Sequence, residues 1–354
     1  MDIPKTLPGV TSSFIETPRL KQHVYTSGPT DGIPVIFLHG NASAALYYEE
    51  TMLALPALYR GIAYDMRGYG WTEDKVIDAT RGYRDWVDDL YELMDALQVE
   101  KAHLVGWSAG AGTLYRFVAD HPQRVLSVTL IAPVSPYGFG GTRGLEGTPC
   151  FEDHAGSGGG VVNQDFVKRI ADGDRGSEDP NSPRNIMNTF YYAAPFRSAR
   201  EEDFLTGLLQ EKTGSDRYPG DFVPSATWPN VGPGKFGPVN AWSLKNHPTD
   251  AADFIAAQPK PPVLWVRGDK DLVVGDNSMF DIAALGKLGY VPGWPGEEVA
   301  PPQPMLQQTR DVLQKYANQG GFFEECVIEN AGHSPQIEKP EEFNRLLHAF
   351  LRKA

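Results

Sequence analysis

The stretch from Ala102 to Gly112 limits the possible folds more than any other part of the chain. Ala102 to Val105 is an apolar run with the look of a buried strand, and it stops at Gly106. A helix-compatible run with Leu114, Phe117 and Val118 on one face begins just after Gly110. Strand, sharp turn and helix follow one another within a few residues, and the turn carries the pattern G-x-S-x-G with Ser108 at its centre. So tight a reversal predicts strained dihedrals at the serine and no room for a β-carbon two residues to either side. Gly106, Ala109, Gly110, Ala111 and Gly112 supply the small residues required. The strain would raise the Ser108 hydroxyl clear of the sheet and aim the amide of Ala109 at the same space, which makes Ser108 a candidate nucleophile. In a chain with 37 glycines such a pattern also arises at ordinary turns, and it is the strand and helix on the correct sides that give it meaning.

Around this turn short apolar runs alternate with helical patterns. Ser12–Glu16 and Lys21–Thr26 read as two early strands joined at Thr17 and Pro18. Val35–Leu38 is continuously apolar, as expected of a strand buried on both faces of a parallel sheet, and it breaks at His39, Gly40 and Asn41. Tyr59–Tyr64 is the next strand, closed by a glycine-rich loop in which Asp65 reads as a bracing carboxylate paired with Arg67. Residues 80–98 form the clearest helix, with Tyr83, Trp86, Val87, Leu90, Leu93, Met94 and Leu97 at helical spacing; Asp85, Asp88, Asp89, Glu92 and Asp95 read as its solvated faces. Val125–Ile131 is a further buried strand. The rhythm then breaks into short pieces separated by glycine- and proline-rich turns, and it resumes with a strand from Pro262 to Gly268. An irregular piece at 276–304, a helix from Met305 to Tyr316, a strand from Phe322 to Ile328 and an amphipathic helix complete the chain. Such alternation predicts an α/β fold with a mostly parallel sheet.

A net charge of −13 argues against a nucleic-acid partner and against adsorption to anionic lipid. There is no basic segment followed by an apolar stretch near the start, no apolar run of about 18 residues, and Cys150 and Cys326 stand outside any C-x-x-C pattern. The expectation is a cytoplasmic protein that acts on a small molecule, with no membrane partner and with free thiols.

A serine hydroxyl needs a base within hydrogen-bond reach, held in the right tautomer by a carboxylate. Of the eight histidines, His39 and His333 sit on loops at the carboxyl ends of core strands, as Ser108 does. His39 reads as a brace for its loop, whereas His333 follows Ala331 and Gly332, which free that loop to turn inward. Asp271 is the chosen acid, with Asp269 and Asp276 left open by spacing alone. Beyond Gly40 the amide of Asn41 is a second oxyanion donor beside that of Ala109.

The elbow around Ser108, the His39–Asn41 loop, the chain order Ser108, Asp271, His333 and the segment Ala331–Pro335 together resemble the α/β-hydrolase fold superfamily, in its serine-nucleophile, esterase- and lipase-like branch. The resemblance covers roughly residues 12–135 and 260–352. It implies a mostly parallel eight-stranded sheet flanked by helices, Asp271 as triad acid through its spacing from Gly268, and a lid inserted after the sixth strand. On that basis residues 1–135 and 260–354 form the core, 136–259 the inserted lid (cap), and 276–304 an additional insertion near the site entrance. Haloalkane dehalogenases and epoxide hydrolases of this fold carry aspartate at the elbow, so Ser108 disfavours those activities.

The reaction expected is hydrolysis of a carboxylic ester or lactone through an acyl-enzyme, needing no metal and no cofactor. Trp107 beside the nucleophile and Phe190, Tyr191, Tyr192 and Trp294 in the insertions are candidate substrate-binding residues for a neutral or weakly polar substrate. The same triad also suits an amidase, a carbon–carbon hydrolase or a perhydrolase, and the fold also serves as a non-catalytic ligand receptor.

Overall fold

The alternating apolar runs assemble into a single eight-stranded sheet in the computed structural model, which describes residues 2–354. Its strands are β1 (Val10–Glu16), β2 (Lys21–Ser27), β3 (Ile33–Leu38), β4 (Tyr59–Tyr64), β5 (Ala102–Trp107), β6 (Val125–Ile131), β7 (Val263–Gly268) and β8 (Phe323–Ile328). They lie in the order β1-β2-β4-β3-β5-β6-β7-β8. β1 and β2 form an antiparallel hairpin and β2 is antiparallel to β4, while every later pairing is parallel. The central strands are the most deeply buried ones; all six residues of β5 are buried.

Five helices pack on this sheet or on each other: α1 (Arg84–Ala96), α2 (Ala109–Asp120), α3 (Asp250–Ala256), α4 (Met305–Asn318) and α5 (Pro340–Leu351). α1 is shorter than the expected 80–98 because Gly82, at φ 59°, separates it from a 3-10 turn at Ala79–Arg81. Its acidic decoration is also less solvated than the pattern suggests. Asp89 is fully buried, with Arg67 in a two-point contact (Nε to Oδ2 and Nη2 to Oδ1, both 2.7 Å) and Arg19 Nε at 2.6 Å. Asp85 is buried beside Arg19 and Arg81. This corrects the pairing of Arg67 with Asp65. Arg67 reaches across to α1, and Asp65 braces its loop through other partners, His23 and the amides of Ala45 and Trp71.

Between β6 and β7 the chain adds no strand to the main sheet; it forms short helices such as Gln164–Ala171 and Glu201–Leu208 and three two-stranded ribbons. Residues 276–304 likewise hold only the short helix Ile282–Lys287. Among the described residues no helix is long and apolar enough to cross a membrane. Because the strands from β3 onward are parallel, their carboxyl ends lie at one edge, and there the loops after β3, β5, β7 and β8 gather. That edge is where ligands bind in open α/β sheets.

Candidate active site

Ser108 has φ 56° and ψ −118°, a conformation a side-chain-bearing residue holds only when its surroundings enforce it. A β-carbon at Gly106 would come within 2.8 Å of the Ala111 backbone, and one at Gly110 within 2.4 Å of the His39 carbonyl oxygen. Neither obstacle is a flexible side-chain end, so both positions require glycine. The Ser108 N–H donates to the Ile131 carbonyl at 2.9 Å, fastening the turn to the end of β6.

The expected oxyanion donors belong to this turn and to the loop after β3. Ala109 opens α2, so its N–H belongs to the first turn, which has no acceptor within the helix. A β-carbon at Gly40 would stand 3.0 Å from the Ser108 β-carbon, which shows how closely the loop after β3 passes the serine. That loop is held from below by His39: its Nδ1 donates to the Gly40 carbonyl at 2.8 Å and its Nε2 accepts the Met66 N–H at 3.0 Å. Both nitrogens are thereby used and burial lowers the histidine's pKa, as fits a neutral brace. From above, the Tyr191 hydroxyl donates to the carbonyls of Asn41 (3.1 Å) and Ala42 (2.8 Å), and the Tyr69 hydroxyl to Asn41 Oδ1 (3.1 Å).

His333 and Asp271 meet across the loops after β8 and β7, with Nδ1 and Oδ2 2.8 Å apart and both side chains nearly buried. The other Asp271 oxygen accepts the amides of Val273 (2.7 Å) and Val274 (3.0 Å), which fixes the carboxylate before it touches the imidazole. The other two carboxylates are engaged elsewhere: Asp269 pairs with Lys270, and Asp276 accepts the amides of Leu306 and Gln307 at the start of α4. Trp107 Nε1 donates to the His333 carbonyl at 2.8 Å, so the residue beside Ser108 holds the histidine loop directly. Among the described residues the Ser108 hydroxyl itself has no hydrogen-bond partner. Of the two contacts expected in a line from Ser108 through His333 to Asp271, the one between His333 and Asp271 is formed.

The aromatic candidates divide. Trp107 is fully buried, its ring between His333 (5.6 Å) and Tyr191 (5.7 Å). Tyr191 stands over the same group, 6.4 Å from His333, and Tyr192 packs on Phe196 at 5.1 Å. Phe190 turns edge-on to Phe280 at 4.9 Å. Trp294 is not brought to the elbow by any contact: its Nε1 donates to the Ala300 carbonyl and its ring covers Gly286 beside Trp228, filling the core of its own loop.

Sequence reasoning missed two features. Glu338 accepts the amides of Gly332 (2.7 Å) and Ala193 (2.6 Å), so one carboxyl ties the His333 loop to the chain between β6 and β7. Burial pushes its carboxyl above the usual range. The second is another Ser–His–Asp line: Ser12 Oγ lies 2.7 Å from His23 Nε2, and His23 Nδ1 lies 2.7 Å from Asp65 Oδ2.

Comparison with known proteins adds the relatives. A model described as the alpha/beta hydrolase fold matches residues 33–303. The 2-hydroxymuconate semialdehyde hydrolase of Pseudomonas sp. (strain CF600) is 30% identical over 149 residues, 41% of this chain and 51% of that protein, so the match spans about half of the relative's own length. Epoxide hydrolase 3 of Siraitia grosvenorii is 25% identical over 96% of this chain and 97% of its own. Among solved structures, carboxylesterase CesB from Bacillus subtilis superposes with a TM-score of 0.59 at 16% identity, over 99% of this chain and 94% of that one.

Proposed function

The chain belongs to the alpha/beta hydrolase fold family, and from that premise we propose that it is a serine hydrolase that cleaves a carboxylic ester or lactone through an acyl-enzyme on Ser108. The observation that carries the proposal is the 2.8 Å contact of His333 Nδ1 with an Asp271 carboxylate that two amides already hold. A carboxylate at Nδ1 keeps the proton there and leaves Nε2 a free lone pair, the tautomer that a general base needs.

In this mechanism Ser108 Oγ attacks the carbonyl carbon as its proton passes to His333 Nε2. The oxygen that becomes negative accepts the N–H groups of Asn41 and Ala109, and donors of this kind contribute about 3 kcal/mol each to the transition state. His333 then protonates the departing alkoxide. Water attacks the acyl carbon with His333 again as base, and Ser108 leaves with its proton restored. Every proton and electron pair in the cycle moves between these side chains, the substrate and water.

The full-length likeness to an epoxide hydrolase does not extend to this chemistry. A serine that opened an epoxide would be left as an ether, which water does not release, whereas a carboxylate nucleophile would leave a hydrolysable ester. A second reading, cleavage of a carbon–carbon bond next to a ketone, draws on the likeness to 2-hydroxymuconate semialdehyde hydrolase and begins with the same attack on a carbonyl.

The test is hydrolysis of p-nitrophenyl esters from acetate to decanoate by the wild type and by Ser108→Ala. Turnover in the wild type and a loss of roughly 10⁴-fold or more in the variant are expected. Activity that persists in Ser108→Ala would overturn the assignment. Wild type that is inert on every ester but active on a vinylogous diketone would move the reading to carbon–carbon cleavage.

A further inference from the structure

Glu211 lies where the chain between β6 and β7 meets the loop after β3, and nothing in the mechanism above uses it. The residue is 5% exposed, and neither carboxyl oxygen has a hydrogen-bond partner among the described residues. The carboxyl faces the Ala42 amide, and the phenols of Tyr69, Tyr191 and Tyr218 are near enough to feel its charge. No neighbouring cation compensates it: the adjacent Lys212 gives its ammonium to the carbonyl oxygens of Gly70 (3.2 Å) and Gln210 (2.9 Å). Burial, opposed only by the Ala42 amide, pushes Glu211 well above the usual carboxylate range. An orphaned buried carboxyl is expensive to keep, and one beside a reaction centre invites a ligand as its partner.

The chemistry of that ligand follows from what the surrounding groups have left to offer. Tyr69 and Tyr191 have committed their protons to Asn41 and Ala42. What remains is the Tyr218 hydroxyl, phenol lone pairs, electron-rich rings and the carboxyl itself. A site with surplus acceptors, aromatic faces and one unbalanced acid matches a group with several N–H donors and a positive charge. A hydroxyl would supply one donor and no charge. The net charge of −13 also raises the local concentration of cations rather than anions.

We propose that Glu211, with Tyr69, Tyr191 and Tyr218, forms a subsite for a protonated amine, so that the preferred substrate is an ester carrying an ammonium group. The inference rests on the serine-hydrolase reading and narrows its substrate class. On binding, the Glu211 carboxylate pairs with the ammonium.

Two p-nitrophenyl esters of equal shape test this, the butanoate and its ammonium isostere the 3-aminopropanoate, each rate being normalised to the ester's spontaneous hydrolysis. The wild type should favour the ammonium ester by at least about tenfold in kcat/KM, and Glu211→Gln should lower that preference at least about tenfold. No preference in the wild type would overturn the proposal, and so would an equal loss on both esters, which would make Glu211 only a support for the Ala42 loop. An arm that needs neither turnover nor a variant is calorimetric titration of the wild type with propylammonium and with propanol. Saturable binding of propylammonium alone is expected; equal binding of both, or no binding of propylammonium, would overturn the subsite. Propylammonium binding without turnover of any ester would sink the hydrolase reading and leave the subsite standing, and Ser108-dependent hydrolysis without propylammonium binding would do the reverse.

Discussion

Ser12, His23 and Asp65 at the hairpin edge of the sheet and Ser108, His333 and Asp271 at its carboxyl edge are the same three side chains in the same order of contact. Judged by distance, the hairpin set is the more complete, since its serine and its acid both lie 2.7 Å from the histidine. Its setting is the poorer one. Ser12 lies in regular extended backbone opposite Tyr25, where amides lie in the plane of the sheet and side chains stand across it, so no pair of N–H groups can converge above the hydroxyl. His23 is wedged among Phe14, Tyr25 and Trp71, and Asp65 also holds the amides of Ala45 and Trp71. That line is a rivet between the hairpin and the loop after β4. At Ser108 the backbone is strained, a helix begins at the next residue, and the loop after β3 passes within contact distance. The difference between a buried polar network and a candidate reaction centre therefore lies in the backbone around the three side chains.

The comparison can be broken by substitution, and the largest effect should come from the histidines. His333→Ala should cut ester turnover by roughly 10⁴- to 10⁶-fold with little change in melting temperature. His23→Ala should do the opposite: kcat per folded molecule stays within about twofold, while unfolding in urea reports a loss of about 3 kcal/mol because Asp65 is left buried without its partner. A reversal of these two results would mean that the roles of the two lines are exchanged.

Acid sharpens the contrast. Burial pushes Asp65 up, but its hydrogen bond and charge contact with His23, helped by the Trp71 amide, more than offset this, and its carboxyl lies below the usual range. A carboxyl depressed in the folded state stabilises the fold above its unfolded pKa of about 3.9, and that contribution disappears as pH falls through the lower folded value. The stability gap between wild type and Asp65→Asn should be constant from about pH 7 to 5 and narrow only below about 4. A gap that already closes by pH 6 in urea titrations would contradict this. The smallest effect belongs to Ser12→Ala, which should cost about 1 kcal/mol of stability and leave the rate of ester hydrolysis within about twofold.

Much of the carboxyl edge was legible in the sequence because each of its parts is local. The glycines around Ser108, the break after Leu38 and the turn before His333 each follow a strand, and chain order alone brings strand ends to one edge. What stayed hidden depends on residues far apart in sequence. The acids of α1 read as solvated because nothing in residues 80–98 reveals that Arg19 and Arg67 fold over Asp89. The Ser12–His23–Asp65 line joins an exposed-looking hairpin to a loop more than 40 residues on, and Asp65 carried the more obvious neighbour Arg67 in sequence. Glu211 has no signal at all in its own segment, since only the arrival of the loop after β3 turns it from a helix-end acid into a buried one.

The comparison ascribes reactivity to the one triad whose serine also has the backbone setting for it. Its most direct test is covalent labelling with a fluorophosphonate, followed by intact-mass and peptide analysis of the wild type, Ser108→Ala and Ser12→Ala. One label on Ser108 is expected in the wild type and in Ser12→Ala, and none in Ser108→Ala. A label on Ser12, or labelling that survives in Ser108→Ala, would contradict it.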